Sequence, residues 1–466
     1  MVYRGRPSRS CRECRRRDIK CDKKETGCSQ CSRANITCPL YPNATELLVR
    51  NETKHTIKKT AQRYLHPPSS NPLSTHLMPG LEIQAKNFFI LQYIDHASPC
   101  LFSYMQVFRP PSPDAYPLLA TVVNAVFLAF FAATNGSRCG LNSAREVYGS
   151  ALTITRSTIQ QRGKTKLDTT LGAILLLSVF ERLTLATEAN GVLQNGIGHL
   201  RAALELVSLR DQSQFHEQRG LTMFLQLNEA LCTTSLAQET EVPSRLLMLR
   251  QRAVQQGVDV WSLRWKFSKI LLEYTQLTSS IRVGMSAQQS LEWAERLDTD
   301  LLGLLHYPQD RGPAPVQSHQ GKSAAYSTQS RRNAILLLRI LLAQSQHQQR
   351  IKCPSGNIDM LLRSDALFHN ALLSCVEIWT AIQAWNSEEL SIVQAPTVFS
   401  YLYVLQQLEM LSVETLELVG EYMNSLKQLK LSASQIIGVE KLENSGPVLS
   451  RIWKVWLSIS REELFY

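Results

Sequence analysis

The sequence has no run of about twenty apolar residues, the length a helix needs to span a bilayer. The longest apolar stretch, Leu118–Ala133, covers sixteen residues and is broken by Thr121 and Asn124. A buried core helix is expected there, and no membrane partner. The first ten residues are basic and polar, without the apolar centre of a secretory signal. Catalytic signatures are missing as well. There is no H-E-x-x-H, no G-x-S-x-G and no Walker lysine loop. Gly196-Ile197-Gly198 starts a G-x-G but lacks the third glycine and a preceding strand, which favours helix packing. His199 has no acidic or thiol partner at useful spacing and reads as a helix-face or core histidine. No enzyme is expected. Proline is absent between Pro117 and Pro243, and no alternating strand pattern of useful length occurs.

Cysteine is not scarce. Six of the eleven fall between residues 11 and 38: Cys11, Cys14, Cys21, Cys28, Cys31 and Cys38. Their spacing is C-x2-C-x6-C, given twice, and each cysteine of the first half recurs seventeen residues later. A structural zinc takes four ligands in a tetrahedron, and thiolate suits it. One zinc leaves two of the six sulfurs unused. Two zincs need eight ligand positions, which six sulfurs fill if two of them bridge. A disulfide framework is the main alternative, but it belongs to secreted domains and sits poorly with a segment this rich in Arg and Lys. Ferredoxin-type iron–sulfur spacings are absent. Cys100, Cys139, Cys232, Cys353 and Cys375 are scattered and read as ordinary reduced thiols.

The stretch resembles the DNA-binding domain of the fungal binuclear zinc cluster transcription factors. Arg4-Gly5-Arg6-Pro7-Ser8 leads into it, and Cys38-Pro39-Leu40-Tyr41 is similar to the family's Cys-Pro-Gly-Tyr exit. The resemblance implies two Zn2+ per chain, with Cys11 and Cys28 bridging. One metal would take Cys11, Cys14, Cys21 and Cys28, and the other Cys11, Cys28, Cys31 and Cys38. It also implies double-stranded DNA as partner, CGG-type sites, a nuclear location, and transcription machinery or co-regulators as further partners.

Charge is concentrated at the same end. Residues 1–60 hold 15 of the 50 Lys+Arg but only 6 of the 39 Asp+Glu. A basic head on a nearly neutral body suits a polyanion. Arg15, Arg16, Arg17 and Lys20 lie between Cys14 and Cys21, whereas the second half has Ser32-Arg33-Ala34-Asn35-Ile36-Thr37 there. The first half is therefore expected to face DNA. Asp18 stands where the resembled family has a base-reading basic residue. A carboxylate cannot donate to guanine, although it can accept from cytosine N4. The competing expectation is a simple surface ion pair with Arg15 or a linker lysine. Thr26-Gly27 replaces the family's proline in the turn between halves.

Residues 1–42 are expected to form the zinc module and residues 43–80 a basic, Pro-rich linker. In the linker, Ile57, Ala61 and Tyr64/Leu65 give too few turns to support dimerisation by coiled coil. Residues 81–466 are expected to be an all-helical regulatory domain. Apolar residues recur at three and four in Val147–Ala151–Ile154/Thr155, Leu171–Ile174/Leu175–Val179 and Leu200–Leu204–Val207. Further helices are expected over Trp261–Ile281, Arg332–Ala343, Asp359–Ala384 and Tyr401–Leu429, with a loop over His306–Lys322. Asn195 to Ala203 resembles the "H-x-x-G-A-A" segment of the family's regulatory domain. The fold class is thus a small zinc-stabilised DNA-binding module plus a large all-α domain. The function expected is a sequence-specific, zinc-dependent transcription factor, and the alternative is a zinc-containing co-regulator with weak DNA binding of its own.

Overall fold

The computed structural model describes residues 10–41, 80–89, 117–161, 163–185, 194–307, 319–352, 358–384, 390, 394–408, 410–431, 439–440, 442 and 447–459. The chain divides into two compact units, residues 1–78 and 79–466. Linker residues 43–79 lie outside the described residues, and so does the short apolar spacing at Ile57, Ala61 and Tyr64.

The first unit holds two one-turn helices, α1 (Arg12–Arg16) and α2 (Ser29–Arg33). They are too short to persist alone in water. Their apolar contacts are five buried cysteines, with Cys38 and Tyr41 packed alongside.

The second unit is helical throughout its described residues, with no strand among them. Its helices are α3 (Leu81–Phe89), α4 (Pro117–Asn135), α5 (Arg138–Gln160), α6 (Asp168–Leu185), α7 (Gln194–Leu209) and α8 (Gln218–Gln238). There follow α9 (Ser244–Gln255), α10 (Leu263–Val283), α11 (Ala287–Leu305), α12 (His319–Lys352) and α13 (Ile358–Gln383). The last are α14 (Gln394–Leu408), α15 (Val413–Leu429) and α16 (Val448–Ile459). Proline marks helix starts, where its missing N–H costs nothing. Pro117 opens α4, Pro243 precedes α9, Pro396 sits in the first turn of α14 and Pro447 precedes α16. Serines cap other starts: the hydroxyl of Ser137 accepts from Gly140 N at 3.0 Å, and that of Ser412 from Thr415 N at 3.3 Å.

Core packing follows from these faces. Phe89 of α3 lies 4.5 Å from the Phe127 ring and 5.2 Å from the Phe130 ring of α4. The apolar helix α4 packs on α3, α5 and α6, and eleven of its nineteen residues are buried. By length and composition it could cross a membrane, but its packing is that of a core helix. Helix α8 touches α7, α10 and α16, while α10, α11, α12 and α13 pack in succession. Within α8, a Cβ on Gly220 would stand 2.2 Å from the carbonyl oxygen of Gln214, so that close approach requires glycine.

Several expectations change. Tyr401–Leu429 is two helices, because Ser412 caps a new start and the chain turns at Met410 and Leu411. Arg332–Ala343 is only the middle of α12, a helix of 34 residues, which begins at His319 inside the expected loop His306–Lys322. Residues 308–318 of that loop lie outside the described residues. His199 does have partners, supplied by neighbouring helices: its Nε2 is 2.9 Å from the Tyr148 hydroxyl of α5, which donates to Glu181 of α6. Tyr148 also stacks on Phe180 at 4.1 Å. Linear spacing could not show this, since Glu181 and His199 are 33 and 51 positions from Tyr148.

Candidate metal centre and nucleic-acid face

Each half of the head is built in the same way. Cys11 precedes α1, and its Sγ accepts from Cys14 N at 3.4 Å; Cys28 precedes α2, and its Sγ accepts from Cys31 N at 3.4 Å. The sulfur is therefore both helix cap and candidate ligand. Both helices stop alike. Ile19 N donates to Cys14 O at 3.1 Å, and Ile36 N donates to Cys31 O at 3.0 Å. These are the six-to-one bonds of a Schellman stop, which needs a left-handed residue just before the donor. Asp18 (φ 51°) and Asn35 (φ 49°) occupy that place, and both residue types tolerate it. Lys23 (φ 58°) and Leu40 (φ 56°) form a second left-handed pair, again seventeen residues apart. The cysteine repeat is thus a repeat of backbone conformation.

The six sulfurs form two overlapping groups of four. One is Cys11, Cys14, Cys21 and Cys28; the other is Cys11, Cys28, Cys31 and Cys38, and within each group all sulfurs lie within 4.8 Å of one another. Cys11 and Cys28, common to both groups, are 3.7 Å apart. Other edges measure 3.5 Å (Cys14 to Cys28), 3.7 Å (Cys11 to Cys31) and 3.9 Å (Cys28 to Cys38). A disulfide would need about 2.05 Å, so these are not bonded pairs. A zinc with bonds of ~2.3 Å to four sulfurs would space them about 3.8 Å apart. The observed edges match that tetrahedron, so the residues fit the metal.

Acid–base chemistry points the same way. Burial pushes the Cys14 thiol up to about 12. The contact with Cys28, together with burial, pushes Cys31 up as well. Burial also raises Cys21, but hydrogen bonds at the backbone of Cys11 and Lys23 outweigh it and bring that thiol to about 7. Where burial wins, as at Cys14 and Cys31, a thiol holds its proton at neutral pH unless a cation offsets the thiolate charge. Metal loading must then release protons, and acid must oppose it.

Three contacts close the module. The carboxylate of Asp22 accepts from Ser29 N at 3.0 Å, tying the inter-half loop to α2; the Ser29 side chain first, and its N–H after it, hold the carboxyl below the usual range. The Tyr41 hydroxyl donates to Lys24 O at 2.7 Å. Arg17 donates to Gln30 O at 3.3 Å across the two halves. Sequence reasoning saw Tyr41 only as part of an exit motif and did not find the roles of Asp22 and Arg17.

The expected nucleic-acid residues divide accordingly. Arg15, Arg16, Asp18 and Lys20 are exposed, whereas Arg17 is half-buried and serves the module. Arg15 also bonds Ser10 O at 2.9 Å, and Arg16 pairs with Glu13 at 2.9 Å. Asp18 suits the left-handed stop by residue type, and Arg15 turns to Ser10 O; the linker lysines, the other expected partners of Asp18, lie outside the described residues. Arg12, Lys23, Lys24 and Arg33 are exposed too, and sequence reasoning had not singled them out.

Residues 9–47 match the family model of the fungal Zn(2)-Cys(6) binuclear cluster domain. The head is accordingly a zinc-binding, DNA-binding module of the kind carried by fungal zinc-cluster transcription factors. It is followed by a large helical domain. No curated protein and no solved structure matches the chain.

Proposed function

We propose that the protein is a nuclear, sequence-specific transcription factor whose head holds two zinc ions. Cys11 and Cys28 would each ligate both metals, Cys14 and Cys21 one, and Cys31 and Cys38 the other. Bound zinc supplies a structural cross-link that fixes two short helices which cannot stand alone. The observation that carries the reading is the pair of four-sulfur groups sharing two sulfurs, set in a cationic segment. Arg15, Arg16 and Lys20 would attract phosphate, with Arg17 holding the surface in shape. Asp18 would stand beside them toward the bases. Residues 1–42 are the module, 43–80 the linker and 81–466 a domain that regulates the head or recruits transcription machinery. No catalytic role is proposed for that domain.

Selection of bound sites from random duplexes by the zinc-loaded full chain tests this. An enriched motif, CGG-type or otherwise, is expected, with affinity that falls steeply with salt through counterion release. Arg15→Ala with Arg16→Ala should flatten the salt slope by about two. One observation favours the co-regulator reading: Asp18 puts an exposed carboxylate amid the basic residues. No enrichment at low salt from fully loaded protein would establish that reading instead.

A further inference from the structure

The helical body is nearly neutral, but its charge is not evenly spread. Residues 61–466 hold 35 Lys+Arg and 33 Asp+Glu, and six of those cations fall within residues 138–166 beside a single acid, Glu146. The rest of the body is left with 29 against 32 and is slightly acidic. The cationic stretch is α5 with the short 3-10 turn that follows it, Lys164–Lys166.

Helix α5 buries one face and opens the other. Gly140, Ala144, Ala151, Thr155 and Thr158 are buried, and α4 packs on α5. On the open face Arg138, Arg145, Leu152 and Ile159 follow one another at steps of seven, with Asn142, Gly149 and Arg156 between them, and all are exposed. Successive steps of four and three make a seam that suits another helix. The line runs for about 32 Å at 1.5 Å per residue. Leu152 is 38 % exposed and Ile159 40 %. Gly149 lies at the middle, and a Cβ there would meet no atom within 4 Å. Among the described residues no ion pair forms at Arg138 or Arg156.

Charge and apolarity together select the occupant. Arginines along the seam call for carboxylates or phosphates. A DNA backbone would satisfy them and leave Leu152 and Ile159 in water. An amphipathic helix with acidic residues beside a leucine stripe satisfies both sets at once, and the bare backbone at Gly149 lets it come close.

We infer that the outer face of α5 docks an acidic amphipathic helix of a partner protein. This gives the recruiting role proposed for residues 81–466 a surface and a partner chemistry, and it rests on that role. Site selection by the head is measured separately, so the two readings fail independently.

The test titrates the zinc-loaded full chain into a fluorescein-labelled peptide with leucine at steps of three and four, glutamate beside it and alanine elsewhere, read by anisotropy. Saturable binding that weakens with salt is expected, and a scrambled peptide of the same composition should bind at least tenfold more weakly. Gly149→Gln starts in open space and removes a glycine from a helix. It should keep or raise the thermal transition while weakening the peptide at least tenfold. Leu152→Ser with Ile159→Ser, and Arg138→Glu with Arg156→Glu, should weaken it as much. Arg15→Ala with Arg16→Ala in the head should leave it unchanged. No saturable binding overturns the proposal, as does equal binding of the scrambled peptide or loss of binding through the head substitutions. If the α5 substitutions weaken duplex DNA and not the peptide, the face follows DNA and the proposal falls. If they lower the chain's mass in light scattering and not its affinity for the peptide, the occupant is a second copy and the proposal falls as well. If a double substitution unfolds the chain, Gly149→Gln decides alone.

Discussion

At the scale of single residues, the head is decided by which sulfurs are shared. Serine is a good helix cap, so Cys28→Ser keeps the start of α2 and removes only a metal ligand. Because Cys28 belongs to both four-sulfur groups, native mass spectrometry of this variant should show both zincs depleted. Cys38→Ser should retain one. Equal depletion in the two variants would contradict the shared role. In the helical domain the sharpest residue is Gly220. Any side chain there meets the Gln214 backbone, which cannot rotate away. Gly220→Ala should cost about 1–3 kcal/mol, measured by urea denaturation. The cysteine set was fully legible in the sequence, because metal chemistry fixes residue type and spacing together. The left-handed pairs were half legible: Asp18 and Asn35 are residue types that tolerate the conformation and stand one repeat apart. Tyr41, Asp22 and Arg17 were not legible. Their bonds go to backbone atoms seven to seventeen residues away, and no spacing rule marks such a contact.

At the scale of elements, α11, α12 and α13 are pinned by a buried ion pair. Arg339 of α12 donates to both oxygens of Asp298 in α11, at 2.6 and 3.1 Å, and to Ser374 of α13 at 3.3 Å. Both charged side chains are only 8 % exposed. Removing one partner strands the other, so Asp298→Ala should lose about 3–5 kcal/mol. Asp298→Leu combined with Arg339→Met should recover most of it in the same denaturation assay, since apolar replacement of a buried pair is often neutral. A small loss in the single variant would mean that water reaches the guanidinium. Helix existence was legible from the three-and-four spacing, and Trp261–Ile281 and Asp359–Ala384 lie within two residues of α10 and α13. The break inside Tyr401–Leu429 was not, because the apolar spacing carries across Ser412 and only the cap signals a new start. The partners of His199 needed three helices packed together before they could be seen.

At the scale of the whole molecule, the two units have separate apolar clusters, one of thiols and one of aliphatic and aromatic side chains. A chelator should therefore abolish DNA binding and leave the thermal transition of the helical domain in place. The helical signal should hardly change, because α1 and α2 have five residues each. A collapse of that transition on chelation would show that the domain depends on the head. The seventeen-residue repeat has a consequence for ancestry. Each copy brings three sulfurs, one short of a tetrahedron, so neither copy can saturate a zinc by itself. A single ancestral copy could have worked only in pairs, and duplication would have turned an encounter between two chains into a fold within one. Synthetic peptides covering residues 10–26 and 27–42 should then saturate zinc only as metal-bound pairs, each with itself or, when mixed, with the other.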